Sequence, residues 1–383
     1  MKILAIICEF NPFHNGHKYL LERAKELSGA YSILCIMSGD FTQRGEMCIL
    51  DKYTRAKHAI LGGADCVIQL PAPFAIAPAE IFASGAIKVL SSIPEITTLT
   101  FGCESGDVNS FLSSAQLITA ESEKFKNTLK EHLANGNSYI KSYASAFESC
   151  GGDAQIVSNP NNILGLEYTK AIMRANANIE ILPIKRIGAG YNDNELKDNY
   201  SSASAIRQNL NCSAIKSNLP DFVYEDLKSC KYSSEFDSYL RHCLYKATGD
   251  SLRRIYGCGE GLENKLKSLE NLPIEDIISQ STSKRYSSSR IRRILCANSL
   301  ELYQDDCERY LNADLYIKPL AVRKQYADNL LSTLARSSYP VITGIDTDNL
   351  CPVAMECFEK DRKEFALYNF LNYSDKKDYM LLV

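Results

Sequence analysis

Short apolar runs alternate with helical patterns through the first half of the chain, and this alternation constrains the fold more than any other feature. Residues 3–8, 31–37, 66–70, 97–101 and 179–186 read as buried strands. Between them, residues 14–27 place Tyr19, Leu20, Ala24 and Leu27 at a helical period. Asp51 suits the N-cap of a helix that runs through Leu61 and is stopped by Gly62 and Gly63. Residues 78–90, most of 107–150 and 162–175 are also helical in pattern. Strand–helix alternation of this kind predicts an α/β fold with a parallel sheet covered on both faces. Ligands of such sheets lie at the carboxyl ends of the strands. The loops at 9–16, 38–45 and 102–107 each follow a strand, so their residues are expected to meet in one crevice.

A chain of 383 residues exceeds one ordinary domain. The texture changes near residue 210, where strand-like runs become rare and segments 221–247, 262–280, 287–300 and 302–336 look helical. This predicts a parallel-sheet domain over 1–210 and a mainly helical region over 211–383, with the stretches 341–349 and 366–373 returning to strand. Lys and Arg number 43 against 46 Asp and Glu, a net charge of −3, which excludes a uniformly basic nucleic-acid coat but not a local basic patch. Fourteen cysteines are scattered without C-x-x-C spacing, which argues against zinc knuckles and thioredoxin-type redox chemistry. The N-terminal apolar run is short and broken by Glu9, and no apolar run nears the ~20 residues of a membrane helix. A cytoplasmic protein with reduced cysteines and no membrane partner is expected.

The chemistry concentrates in Asn11-Pro12-Phe13-His14-Asn15-Gly16-His17, directly after the first strand and opening a helix. A helix N-terminus offers unpaired N–H groups and a positive dipole end to phosphate. Gly16 lets the backbone come close. His14 and His17, three residues apart, share one side of the first turn and suit hydrogen bonds to phosphate oxygens. A structural or metal-binding pair is the alternative, but H-x-x-H with no further His or Cys nearby is a poor zinc site, and no metal ligands are assigned.

Other residues fit the same site or a plainer role. Gly102 follows a strand, where a missing Cβ admits a ribose or adenine or simply makes a turn. Asn162 stands at a helix start after Pro160 and serves equally as a cap. Arg186 ends an apolar strand and reaches a triphosphate or a surface carboxylate. Residues 201–207, SSASAIR, place serines at a helix start and an arginine in its first turns, so Ser204 and Arg207 are candidates for the β- and γ-phosphates. Arg44, with Asp40 and Gln43 as possible partners, lies in a Gly-flanked loop that faces either the reacting centre or solvent. Lys52 and Arg55 on the next helix either extend a positive rim or, on the plainer and favoured reading, form a solvated helix face. Lys284, Arg285, Arg290, Arg292 and Arg293, with Tyr286 and serines among them and no acid from 281 to 300, suit an RNA backbone or ion pairs with Asp305 and Asp306.

HNGH at 14–17 resembles the signature of the HIGH nucleotidyltransferase superfamily. The stretches 8–20 (CEFNPFHNGHKYL), 37–46 (MSGDFTQRGE), 51–65 (DKYTRAKHAILGGAD), 69–71, 101–107 (FGCESGD), 158–168 (SNPNNILGLEY), 201–207 and 286–295 (YSSSRIRRIL) occur in order and together resemble the bacterial tRNA(Met) cytidine acetate ligase family. Two positions depart from that pattern: Gln69 where an acid is expected, and Met47 where proline is usual. The resemblance implies a Rossmann-like sheet and a reaction in two steps. ATP first activates acetate as acetyl-adenylate, releasing pyrophosphate; the acetyl group then passes to N4 of the wobble cytidine of elongator tRNA(Met). It implies ATP contacts at Ile7, Cys8, Glu9, Phe10, Asn11, Pro12, Phe13, His14, Asn15, Gly16, His17, Lys18, Tyr19, Leu20, Gly102, Asn162, Arg186 and Ile187. Mg²⁺ is expected on the phosphates. Adenylation of a small phosphorylated acceptor is the competing enzyme reading, and a non-enzymatic RNA-binding protein with a nucleotide pocket is a third.

Overall fold

The computed structural model describes residues 2–120, 122–137, 139–187, 195–228, 235–344 and 347–383. Among them, seven strands form one sheet: β1 (Ile3–Cys8), β2 (Ser32–Ser38), β3 (Cys66–Leu70), β4 (Ile96–Cys103), β5 (Glu180–Lys185), β6 (Pro319–Val322) and β7 (Leu381–Leu382). Their order is β5-β4-β1-β2-β3-β6-β7. β1 pairs in parallel with β2 on one side and β4 on the other, β3 continues in parallel from β2, and β5 from β4. The expected doubly covered parallel sheet is present.

Alternate residues of β1 show why. Ile3, Ala5 and Ile7 enter one apolar core, and Leu4 and Ile6 enter the other. A strand with both faces buried must be apolar throughout, which is the pattern of ILAIIC. Leu21 and Ala24 of the helix Asn15–Ser28 and Ala56, Ala59 and Ile60 of the helix Lys52–Leu61 pack on one face. Helices Ala79–Ser91 and Pro160–Arg174 supply Phe82, Ala86, Leu166 and Tyr168 to the other.

Chain order proceeds outward from β1 through β2 to β3, then crosses to β4 on the opposite side of β1. The carboxyl ends of β1 and β4 therefore splay into a crevice at a switch point, the usual place for a ligand in such sheets.

Two sequence expectations are corrected in the second half. Residues 302–336, expected to be helical, include β6, which pairs antiparallel with β3. Residues 366–373 do not return to strand: they belong mainly to the helix Pro352–Leu371, whose steady burial of Phe358, Asp361, Phe365 and Tyr368 follows a helical period. Of the stretch 341–349, residues 345 and 346 lie outside the described residues, and Val341 makes an isolated bridge to Ile317. Helices beyond residue 210 share a core with the sheet: Ile291, Leu295 and Phe358 belong to the same apolar cluster as Ile3 and Ile7.

Candidate active site

A cleft of about 230 Å³ opens at the carboxyl ends of β1, β4 and β5. Its floor is Ile7, Cys8, Glu9, Phe10 and Asn11 from the end of β1 and the loop that follows, and His14, Gly16, His17, Tyr19 and Leu20 from the next turn and helix. Gly102 of β4 and Arg186 and Ile187 beyond β5 form one wall; Ser204 and Arg207 form another. The sequence-predicted residues thus converge, with five exceptions. Pro12, Phe13, Asn15, Lys18 and Asn162 do not line the cleft. Phe13 is buried beneath Gly62, and Asn15 donates its amide to the carbonyls of Asn199 and Ser217. Asn162 is fully buried: Oδ1 accepts the Glu104 N–H and Nδ2 donates to the Gln155 carbonyl, so it holds the loop after β4 rather than facing the cleft. Its neighbour Asn161 lines the cleft instead.

The two histidines have a defined arrangement. His14 caps the helix, with Nδ1 accepting the Gly16 N–H at 3.0 Å. The His14 N–H in turn donates to Nδ1 of His17 at 3.3 Å. This reciprocal cap is a capping box built from imidazoles. The rings stack with centroids 3.7 Å apart. With both Nδ1 atoms acting as acceptors, each neutral ring carries its proton on Nε2 as a donor. Burial, then the positive charges of Arg186 and Arg207, press the His14 pKa down to about 3. Burial, His14 and Arg186 lower that of His17 as well. Both rings are therefore neutral N–H donors at physiological pH. A Cβ at Gly16 would lie 2.9 Å from Cε1 of His14, so only glycine fits beside the ring. Phe10, just before, sits at φ +49, a rare conformation for a side chain of this size and typical of residues held at a functional loop.

Arg207 spans the cleft. Its guanidinium donates to the Asn11 carbonyl at 2.8 Å and to Oε2 of Glu46 at 2.8 Å, and it lies 3.5 Å from the Ser204 hydroxyl. Ser202, not Ser204, is the cap of that short helix and accepts the Ala205 N–H. Gly102 makes room for Arg186: an added Cβ would meet the Arg186 Cγ at 3.3 Å. Phe82, Phe101, Leu164 and Tyr168 give the cleft an apolar side.

Behind the cleft stands a buried polar layer that the sequence concealed. Lys52 and Arg55 are not a solvated face; both are fully buried. Arg55 donates to the carbonyls of Glu9, Ser38, Gly39 and Leu50, tying the loop after β1 to the one after β2. Lys52 reaches Gln69 and Asp378, and Asp378 also binds Lys318. Burial alone would lower the Lys52 pKa, but Asp378, Asp40 and Glu364 outweigh it and raise it. Asp40, expected beside Arg44, is buried and accepts the Lys52 N–H. Oε1 of Glu364 accepts the N–H groups of Asp40 and Phe41 from the helix Pro352–Leu371. Burial pushes the Glu364 carboxyl up, and the charge of Asp40 adds to it. Gln69 joins this layer too, donating to Glu364 at 3.3 Å. Arg44 and Gln43, on the loop so anchored, line the cleft.

The basic segment is less open than its sequence suggests. Lys284 and Arg285 are exposed, and Arg285 pairs with Glu260. Arg290 forks onto the Gly257 carbonyl and stacks on Tyr286. Arg292 pairs with Glu275, and Arg293 lines a small internal cavity. Asp305 and Asp306 pair with Arg254 and Arg309 instead of with this segment. The helix that carries these arginines, Ser288–Ser299, packs against the cleft loop: Gly45, at φ +78, lies on the backbone of Arg292 and Arg293.

Among the described residues, no group of three or more His, Cys, Asp or Glu side chains is placed to hold a metal, and no helix is long and apolar enough to cross a membrane.

Comparison with known proteins agrees with this geometry. The HIGH Nucleotidyl Transferase family model matches residues 1–380. The tRNA(Met) cytidine acetate ligase of Acetivibrio thermocellus is 35% identical over 364 residues, covering 89% of this chain and 88% of its own length. That of Clostridium perfringens is 32% identical and covers 100% of this chain and 98% of its own length. The crystal structure of Thermotoga maritima TmcAL in its apo form is similar at a TM-score of 0.91 and 27% identity over 100% of both chains. Its form bound with alpha-thio ATP gives 0.88 over the same coverage.

Proposed function

From the premise that the chain belongs to the tRNA(Met) cytidine acetate ligase family of HIGH nucleotidyltransferases, we propose that it is an ATP-dependent ligase: it activates acetate as acetyl-adenylate, releases pyrophosphate, and passes the acetyl group to N4 of the wobble cytidine of elongator tRNA(Met). One observation carries this reading. Two neutral imidazoles, each locked through Nδ1 with Nε2 as donor, share a cleft with Arg186, Ser204 and Arg207.

In this reading a carboxylate oxygen of acetate attacks the α-phosphorus in line. The Nε2–H groups of His14 and His17 stabilise charge as it builds on the α-phosphoryl oxygens. Arg186, Arg207 and Ser204 hold the remaining phosphates, and Gly102 gives the Arg186 stem room to swing toward them. No covalent nucleophile is required, because positioning and fixed dipoles suffice for such displacements. Mg²⁺ on the triphosphate would offset phosphate charge and would be held chiefly by phosphate oxygens and water; no side chain is assigned to it.

Residues 1–210 carry the activation chemistry and 211–383 hold the tRNA. Lys284 and Arg285 are the outermost phosphate contacts, and the backbone of Arg292 and Arg293 lies against the cleft loop. A ligase acting on tRNA works in the cytoplasm, in keeping with a chain rich in reduced cysteine. Adenylation of a small phosphorylated molecule would give the exposed Lys284 and Arg285 no part in the reaction.

The test supplies labelled acetate, ATP and a pool of unmodified tRNAs. Label is expected in the elongator methionine tRNA, with pyrophosphate released only when acetate is present. Label in no tRNA, with pyrophosphate release instead requiring a phosphorylated acceptor, sinks the proposal.

A further inference from the structure

We propose that Glu46 is a further catalytic residue: its carboxylate takes the proton from the exocyclic amine of the acceptor base during acetyl transfer. The proposal rests on the ligase reading above and deepens it.

Among the described residues, the acids that line the cleft are Glu9 and Glu46. Their surroundings separate them. Glu9 lies at the floor, where Oε1 accepts the Gln43 N–H at 2.6 Å and the Ser38 hydroxyl at 3.5 Å. Burial pushes its carboxyl up. It is an anchor for the loop. The Glu46 side chain keeps 33% of its surface exposed, at the mouth. Its backbone is fixed: its N–H donates to the Thr42 hydroxyl at 3.2 Å and its carbonyl accepts the Thr42 N–H at 2.9 Å. The preceding Gly45 seats this turn on Arg292 and Arg293. Burial works against the charge of Arg292, and Glu46 stands close enough to join Glu275 in outweighing it. One carboxylate thus sits where the nucleotide cleft meets the basic helix.

Its present partner gives the second half of the argument. Oε2 of Glu46 pairs with Arg207 at 2.8 Å. The triphosphate of ATP draws Arg207 away, and once pyrophosphate has left, the phosphoryl group of acetyl-adenylate competes with Glu46 for the guanidinium. The carboxylate left behind is a hydrogen-bond acceptor at the mouth of the cleft, beside Arg292.

Chemistry requires such a group. The lone pair of a cytosine amine is delocalised into the ring, so the nitrogen is a weak nucleophile and becomes strongly acidic only as it bonds to carbon. The amine nitrogen attacks the acetyl carbonyl carbon, and the new C–N bond forms as the amine proton passes to the Glu46 carboxylate. The bond between the acetyl carbonyl carbon and the bridging phosphate oxygen breaks, and AMP leaves with that electron pair. A positioned base of this kind typically contributes 10²–10⁴-fold.

The experiment separates the two half-reactions in the full-length enzyme. Acetate-dependent ATP–pyrophosphate exchange reports activation. Transfer is measured in a single turnover, from enzyme preloaded with acetyl-adenylate and then mixed with tRNA. For Glu46→Gln, transfer should fall at least 10²-fold further than exchange, with acetyl-adenylate accumulating on the enzyme; Glu46→Asp should recover part of the loss. Exchange and transfer falling together would mean that Glu46 only orients Arg207, and would overturn the proposal. Transfer at the wild-type rate in Glu46→Gln would overturn it equally. A wild-type enzyme that forms no acetyl-adenylate removes the ligase reading itself, before any variant is made.

Discussion

Gly45 rests directly on the backbone of Arg293: a Cβ added at Gly45 would lie 2.6 Å from the Arg293 Cα. The turn between Arg44 and Glu46 is therefore built onto the helix proposed to meet RNA. Gly45 also sits at φ +78, where only glycine is unstrained. Replacing it with alanine combines a left-handed penalty of about 1–2 kcal/mol with overpacking of about 1–3 kcal/mol. Gly45→Ala is expected to lower the denaturation midpoint accordingly and to impair acetyl transfer, since Arg44 and Glu46 must shift. Midpoint and transfer both at wild-type values would show that this contact does not set the loop.

His17 combines two roles that a single substitution can divide. Its Nδ1 accepts the His14 N–H, and its Nε2 is left as a donor. Asparagine can keep an acceptor near the cap but cannot reach the phosphate. His17→Asn is expected to fold with near-normal stability while acetate-dependent pyrophosphate exchange falls by about 10²–10³. Exchange at the wild-type rate would remove the ring from the reaction.

The buried histidines also make stability depend on acid. Unfolded, an imidazole takes a proton near pH 6.5; folded, His14 does so only at about 3. Between those values the unfolded chain binds the extra proton, so stability falls as pH drops, by up to about 1.4 kcal/mol per pH unit from this residue. His14→Asn removes the contribution. Denaturation midpoints of wild type and variant should draw together as pH is lowered from about 7 to about 5. A constant gap across that range would contradict the burial argument.

Lys284 and Arg285 are better probes of the RNA surface than Arg290, whose guanidinium holds the Gly257 carbonyl. Changing both Lys284 and Arg285 to Glu is expected to raise KM for tRNA and to reduce the salt dependence of binding by a slope of about 0.7–0.9 for each phosphate that is no longer neutralised. An unchanged salt slope would place the RNA elsewhere. Reversing Arg290 should instead cost stability, because it would set a carboxylate against a carbonyl.

How far the sequence disclosed these features follows from the range of the forces involved. β1 to β5 and the helices between them were legible because β1 to β3 had to be apolar on both faces, β4 and β5 were apolar over most of their length, and each helix needed one apolar stripe, patterns carried within ten or so residues. His14 and His17 were legible because their spacing is local. What eluded the sequence depends on distant partners. Lys52 and Arg55 looked solvated because charge in a helix usually is; their burial rests on four backbone carbonyls and on Asp378, more than 300 residues away in sequence. β6 has only four residues and begins with proline, so it gives almost no periodic signal. The aromatic run after Phe365 has strand propensity, and tertiary packing of the helix Pro352–Leu371 overrides it. Glu46 closes the stretch 37–46 that carries part of the resemblance, but no sequence pattern assigned it a role; only its place in the cleft does.

The grip of Glu364 on the N–H groups of Asp40 and Phe41 has a consequence for how the protein is made. The histidine turn leaves the ribosome more than three hundred residues before the carboxylate that fixes the neighbouring loop. During synthesis the catalytic groups must wait, half assembled, for a late-emerging helix. A nascent chain that stalls short of residue 364 would carry both imidazoles and no competent enzyme.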